Sequence, residues 1–369
     1  MYIHERKNWP DFTWDQGKLL PLLTDVRHLQ GRLLGRMEAT GFIVREEATL
    51  ETLTQDVLKT SEIEGEELSI DQVRSSIARR LGLDIGGDIF SSRDVEGIVE
   101  VMIDATRNHK NSLSKSRLFN WHAALFPTAR SGMQKINVGQ WRNRESGPMQ
   151  VVSGPYSREK VHFEAPSYDR LEKEMGSFIK WFNTKPETDL VLKSALAHLW
   201  FVTIHPFDDG NGRIARALAD MMLARSESST QRFYSMSSQI QRERKAYYEV
   251  LEQTQKATLD VTLWIEWFLG CLKRAIESSE TTLQAVLSKA RFWESVSGQS
   301  FNDRQRSILN RLIDGFFGKL TSSKWAKLGK CSQDTALRDI LNLVERGILT
   351  KDVAGGRSTS YKLNLQRKS

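Results

Sequence analysis

Cysteine is nearly absent: Cys271 and Cys331 are the only two in 369 residues. So small and isolated a set excludes a disulfide framework or a thiolate metal cluster, and a reducing, cytoplasmic setting is the expectation. Long apolar runs are missing too. No stretch reaches the roughly 18 uninterrupted apolar residues of a membrane span. Met1–Asp15 holds no apolar core of an export signal, so no membrane is expected among the partners. Internal repeats and low-complexity tracts are also lacking. What remains is 39% hydrophobic and 27% charged residues, the balance of a folded globular chain, at a length that favours two or three domains.

The net charge of +7 is unevenly spread. From Phe301 to Ser369, 14 Lys or Arg stand against 6 Asp or Glu, a surplus of eight, which leaves 39 against 40 for the first 300 residues. Apolar residues in that first part recur at helical spacing, as in Leu19, Leu20, Leu23, Val26, Leu29, Leu33, Leu34 and Met37 between Asp15 and Glu51. Further helices are expected over Leu50–Leu68, Ile70–Leu81 with Asp71 as N-cap, Asp94–Arg107, Ser114–Phe126, Tyr168–Asn183, Asp189–Ile204, Ile214–Arg225, Glu243–Gln255 and Leu259–Val286. Val138–Pro166, dense in Gly, Pro and β-branched residues, reads as a short hairpin within a long loop.

The expected class is therefore mainly α. The Ser-rich stretch Ser295–Asn302 marks a boundary. Beyond it, helices over Asp303–Phe317, Ser322–Leu328 and Ser332–Glu345 precede two short strands around the turn Ala354–Thr359, the outline of a winged helix. Three parts are expected: a helical region over 1–89, a core over 90–290 and a small winged-helix-like domain over 300–369. The local positive charge makes DNA a candidate partner, with Ser332–Arg338 entering a major groove. Packing of this unit against protein is the alternative.

One segment carries chemistry. Residues 205–216 read His-Pro-Phe-Asp-Asp-Gly-Asn-Gly-Arg-Ile-Ala-Arg, between two apolar helical runs. Gly210 and Gly212 permit positive φ and close approach to a ligand, and Asn211 tolerates the left-handed region. Such a turn at a helix N-terminus points several N–H groups and the positive dipole end at one place, an anion hole suited to phosphate. Arg213 and Arg216, three apart, can converge on phosphate oxygens. Asp209 offers Mg²⁺ a hard oxygen ligand, and His205 can take a proton from a hydroxyl near neutral pH.

Position by position this segment resembles the signature of the Fic family: His, any residue, Phe, any residue, Asp or Glu, Gly-Asn-Gly-Arg, two residues, Arg. The resemblance runs from about residue 90 to 270, and Trp9–Asp15 and Leu29–Met37 look like the helical leader of one bacterial branch. It implies a helical core with a β-hairpin flap, and transfer of AMP from ATP to a Ser, Thr or Tyr hydroxyl of a target protein, self-modification included. By that likeness His205 is the base and Asp209 holds Mg²⁺. Gly210, Asn211 and Gly212 take the α and β phosphates, Arg213 and Arg216 clamp β and γ, and Phe207 anchors the loop. Val161 and His162 lie in the flap that pairs with the target's main chain, and Tyr247 and Tyr248 line base and ribose.

Thr60-Ser61-Glu62-Ile63-Glu64-Gly65 resembles the family's inhibitory pattern, with the inhibitory helix preceding the core. It implies an ion pair between Glu64 and Arg216 that spoils productive ATP binding. The competing expectations are a DNA-binding regulator with a nucleotide-sensing core, or removal of AMP at the same site. Phosphoryl transfer is disfavoured by the presence of Gly212 and Arg213. A homodimer stands as a further candidate assembly.

Overall fold

The computed structural model describes residues 1–84, 89–154, 160–185, 187–313, 315, 318–352 and 359–364. The chain opens with α1 (Gln16–Glu38), α2 (Phe42–Ile63), α3 (Ile70–Leu81), α4 (Arg93–Arg107) and α5 (Lys115–Leu125). Two small antiparallel pairs follow: β1 (Arg130–Ser131) with β2 (Gln134–Lys135), and β3 (Gln150–Ser153) with β4 (Lys160–Glu164). Then come α6 (Leu171–Asn183), α7 (Leu190–Ile204), α8 (Asn211–Glu227), α9 (Met236–Arg242), α10 (Arg244–Gln255) and α11 (Thr262–Ser295). The C-terminal part holds α12 (Asp303–Ile313), α13 (Ser322–Leu328), α14 (Gln333–Glu345) and the antiparallel pair β5 (Leu349–Lys351) and β6 (Tyr361–Leu363).

α7 is the axis of the molecule. Every residue from Val191 to Ile204 is buried, as its run of apolar residues without helical amphipathy requires. α8 packs along it, and α4, α6 and α11 surround the pair. One apolar core extends from Ile3 to Val286 and so includes α1, α2 and α3 with the rest. A second, smaller core joins Phe292 and Val296 to Trp325, Leu343 and Tyr361. No helix among the described residues is long and apolar enough to cross a membrane.

Several boundaries differ from expectation for local reasons. α2 spans Phe42–Ile63 rather than 50–68, because Gly65 adopts φ 86° and turns the chain. Asp71 is not the N-cap of α3; Ser69 occupies that position and Asp71 pairs with Arg311 of α12 at 2.9 Å. α9 was not anticipated. α11 continues to Ser295, past Val286, since Phe292 gains burial in the second core. α12 is described to Ile313, and the tip of the expected wing, 353–358, lies outside the described residues.

Candidate active site

α7 stops at His205, which takes a left-handed backbone (φ 50°) and precedes Pro206. α8 starts at Asn211, three residues before the sequence suggested, after Gly210 at φ 80°. The loop between them is packed from within. Phe207 is fully buried, stacking on His122 at 4.1 Å and meeting Trp141 at 5.0 Å between ring centroids. The Asn211 side chain accepts from the Phe207 N–H at 3.0 Å and donates to its carbonyl at 2.9 Å. Its amide is thus engaged in closing the loop, and what it offers an anion is its backbone N–H.

The first turn of α8 presents N–H groups without intrahelical partners and the positive end of the helix dipole. A Cβ on Gly212 would stand 2.2 Å from Glu64 Oε1 and 3.2 Å from Arg216 Nη1, so the space that glycine leaves is filled by a carboxylate from the end of α2. Arg216 Nη2 donates to Glu64 Oε1 at 2.7 Å and to the Thr60 carbonyl at 2.9 Å, and its Nε donates to Thr60 Oγ1 at 2.7 Å. Burial works against the Arg216 charge, yet Glu64 beside it keeps the pKa above the ordinary value. Arg213 pairs with Glu66 at 2.8 Å and lies over the Phe126 ring. Arg213 Nε and Arg216 Nη1 are buried without hydrogen-bond partners among the described residues. Such donors suit phosphate oxygens.

His205 Nδ1 lies 3.1 Å from the Val202 carbonyl. A carbonyl only accepts, so Nδ1 carries the proton and Nε2 is the nitrogen that can take one. Burial lowers the His205 pKa from 6.5, leaving the ring neutral at pH 7. Asp209 Oδ1 accepts from the Gly210 N–H at 2.5 Å and Oδ2 from the Ser131 hydroxyl. Each oxygen keeps a lone pair for a cation.

Residues 112–223 match the model of the Fic/DOC family, and residues 2–83 match a domain of unknown function (DUF4172). The chain carries a Fic domain. It is 25% identical over 243 residues to a protein adenylyltransferase Fic of Nematostella vectensis, covering 64% of this chain and 51% of the relative. It is 26% identical over 235 residues to one of Aedes aegypti, covering 62% and 42%. The chain thus spans about half the length of the curated relatives it matches. The fold is similar to that of a Fic family protein from Desulfovibrio desulfuricans G20, with TM-score 0.56 and 21% identity over 98% of this chain and 99% of that one.

The Fic domain's hairpin β3–β4 carries Val161, 37% exposed, and His162, whose Nδ1 meets Glu252 Oε2 of α10 at 2.6 Å. Tyr247 departs from expectation. It is buried, its hydroxyl bonds His198 Nε2 at 2.9 Å, and Arg216 is a close neighbour, so as placed it does not offer its ring to a base. Tyr248 is the exposed member of the pair.

Four residues escaped sequence reasoning. Ser131 and Glu66 reach the motif from 78 and 147 residues away, with no pattern to mark them. His122 accepts from the Gly139 N–H through Nδ1 and donates through Nε2 to the Asp209 carbonyl at 3.2 Å, with burial lowering its pKa to about 4. Arg142 is 3% exposed and donates to the carbonyls of His205 (2.8 Å), Ile204 (3.4 Å) and Pro166, tying the end of the hairpin to the loop that bears His205. Replacing Arg142 by Ala strands these buried acceptors. A loss of about 2–4 kcal/mol is expected in denaturant unfolding, and an unshifted midpoint would mean that the loop stands without it.

Proposed function

We propose that the chain is a protein adenylyltransferase held in check by Glu64. The observation that carries this reading is the Glu64 carboxylate seated over Gly212 and paired with Arg216: an anion hole already filled by an internal anion. In the active state the triphosphate of ATP replaces that carboxylate, its oxygens taken by the first turn of α8 and by Arg213 and Arg216. Asp209 would hold Mg²⁺ together with the phosphate oxygens, and the bound ion would offset their charge and that of the leaving group. A target segment pairs along the β3–β4 hairpin. Its Ser, Thr or Tyr hydroxyl attacks the α-phosphorus while His205 Nε2 takes the proton. The new O–P bond forms as the bond to the bridging oxygen breaks, and pyrophosphate leaves with the electron pair.

DNA binding stays the second reading. Lys319, Lys324, Lys327 and Lys330 are exposed around α13, but the exposed face of α14 presents Leu337 and Leu341 beside Arg338, better suited to apolar contact than to base edges.

Transfer of label from α-labelled ATP with Mg²⁺ tests the proposal. Glu64→Gly should raise labelling of protein, self-labelling included, at least tenfold over wild type, and adding His205→Ala should lower it again by roughly 10²–10⁴-fold. No labelling in any folded variant would remove the transferase reading. In the Glu64→Gly variant, the base is neutral above its folded pKa and is lost as pH falls through it. Because that pKa is lowered from 6.5, the acid limb of the rate profile should lie below that value; a limb at or above it would contradict the role of His205.

A further inference from the structure

Resting on that reading, we propose that Glu66 is a second inhibitory carboxylate, which holds Arg213 as Glu64 holds Arg216, so that a nucleotide must displace two internal anions. The geometry begins with the end of α2. Gly65, at φ 86°, reverses the chain, with its N–H donating to the Glu62 carbonyl and the Glu66 N–H to the Ser61 carbonyl, both at 3.0 Å. That turn brings residues 64 and 66, two apart, to the same site. Glu64 reaches Arg216 at 2.7 Å and Glu66 reaches Arg213 at 2.8 Å. The short inhibitory pattern ends at Gly65, so nothing in it accounts for the second pair.

The two latches differ in how they sit. Arg213 is 4% exposed while Glu66 is 47% exposed, so the cation is fixed and its partner can swing into water. Glu66 is also crowded. Burial raises its pKa, Arg213 draws it down, and Asp209, Glu64 and Asp94 raise it again. Among the described residues this carboxylate, set among three others, is held by the Arg213 guanidinium, and a triphosphate competes for that guanidinium with more charge and more oxygens. Since Arg213 faces the outer phosphates in the proposed complex, Glu66 should weaken ATP and leave AMP untouched.

Calorimetric titration of the full chain with ATP, ADP and AMP separates the possibilities, using wild type, Glu66→Gln, Glu64→Gly and the double variant, with melting curves alongside. Glu66→Gln should bind ATP about three- to tenfold more tightly with AMP unchanged, and should add a like gain to Glu64→Gly. Unchanged or weaker ATP binding by Glu66→Gln, or equal tightening of ATP and AMP, would overturn the second latch. It would leave adenylyl transfer intact if Glu64→Gly still labels protein. Tighter ATP binding without labelling in any variant would sustain the latch and remove the transferase.

Discussion

Arg213 and Arg216 put two permanent positive charges almost out of reach of water at the start of one helix, and a buried cation must be met by an anion. Much of the surrounding structure answers that requirement. The helix places both guanidinium groups in its first two turns, Gly212 leaves room for the Glu64 carboxylate against Arg216, and the end of α2 delivers Thr60 and Glu64 to Arg216 and Glu66 to Arg213. In the proposed function, the contact that blocks phosphate is also one that neutralises the resting fold. Inhibition and stability would then share the same ion pairs.

A second constraint limits how those pairs can open. Deeper along α2, Asp56 accepts from Ser235 Oγ at 2.5 Å and from the Ser237 N–H at 3.3 Å, beside Asp220 of α8 and its partner Arg232 at 3.0 Å. Burial and the neighbouring Asp220 push the Asp56 carboxyl up from its ordinary value. Moving α2 as a rigid body would break this sealed polar cluster. In the proposed function, release of Glu64 is then a matter of residues 60–66, the end of α2 and the turn after it, where Gly65 already gives the backbone its freedom.

The loop from 205 to 216 was legible because its chemistry is compressed into consecutive residues, and helical periodicity found nearly every long helix. What stayed hidden depends on distant pairing. Arg142 and His122 reach the loop from 63 and 87 residues away through carbonyl oxygens, which have no sequence identity to read. Tyr247 matched a pattern for base contact, but burial against His198 and Trp264 took precedence. Short α9 and the extended end of α11 were missed because tertiary burial, not local propensity, sets them. Asp71 looked like a cap, and a pair with Arg311 of α12 claimed it instead.

The most direct test of this account is the structure of the Glu64→Gly variant crystallised with ATP and Mg²⁺. The account predicts the outer phosphates between Arg213 and Arg216, over Gly212, with the α-phosphorus facing His205 Nε2 and the β3–β4 hairpin. A nucleotide bound elsewhere, or phosphates that leave both guanidinium groups unengaged, would contradict it.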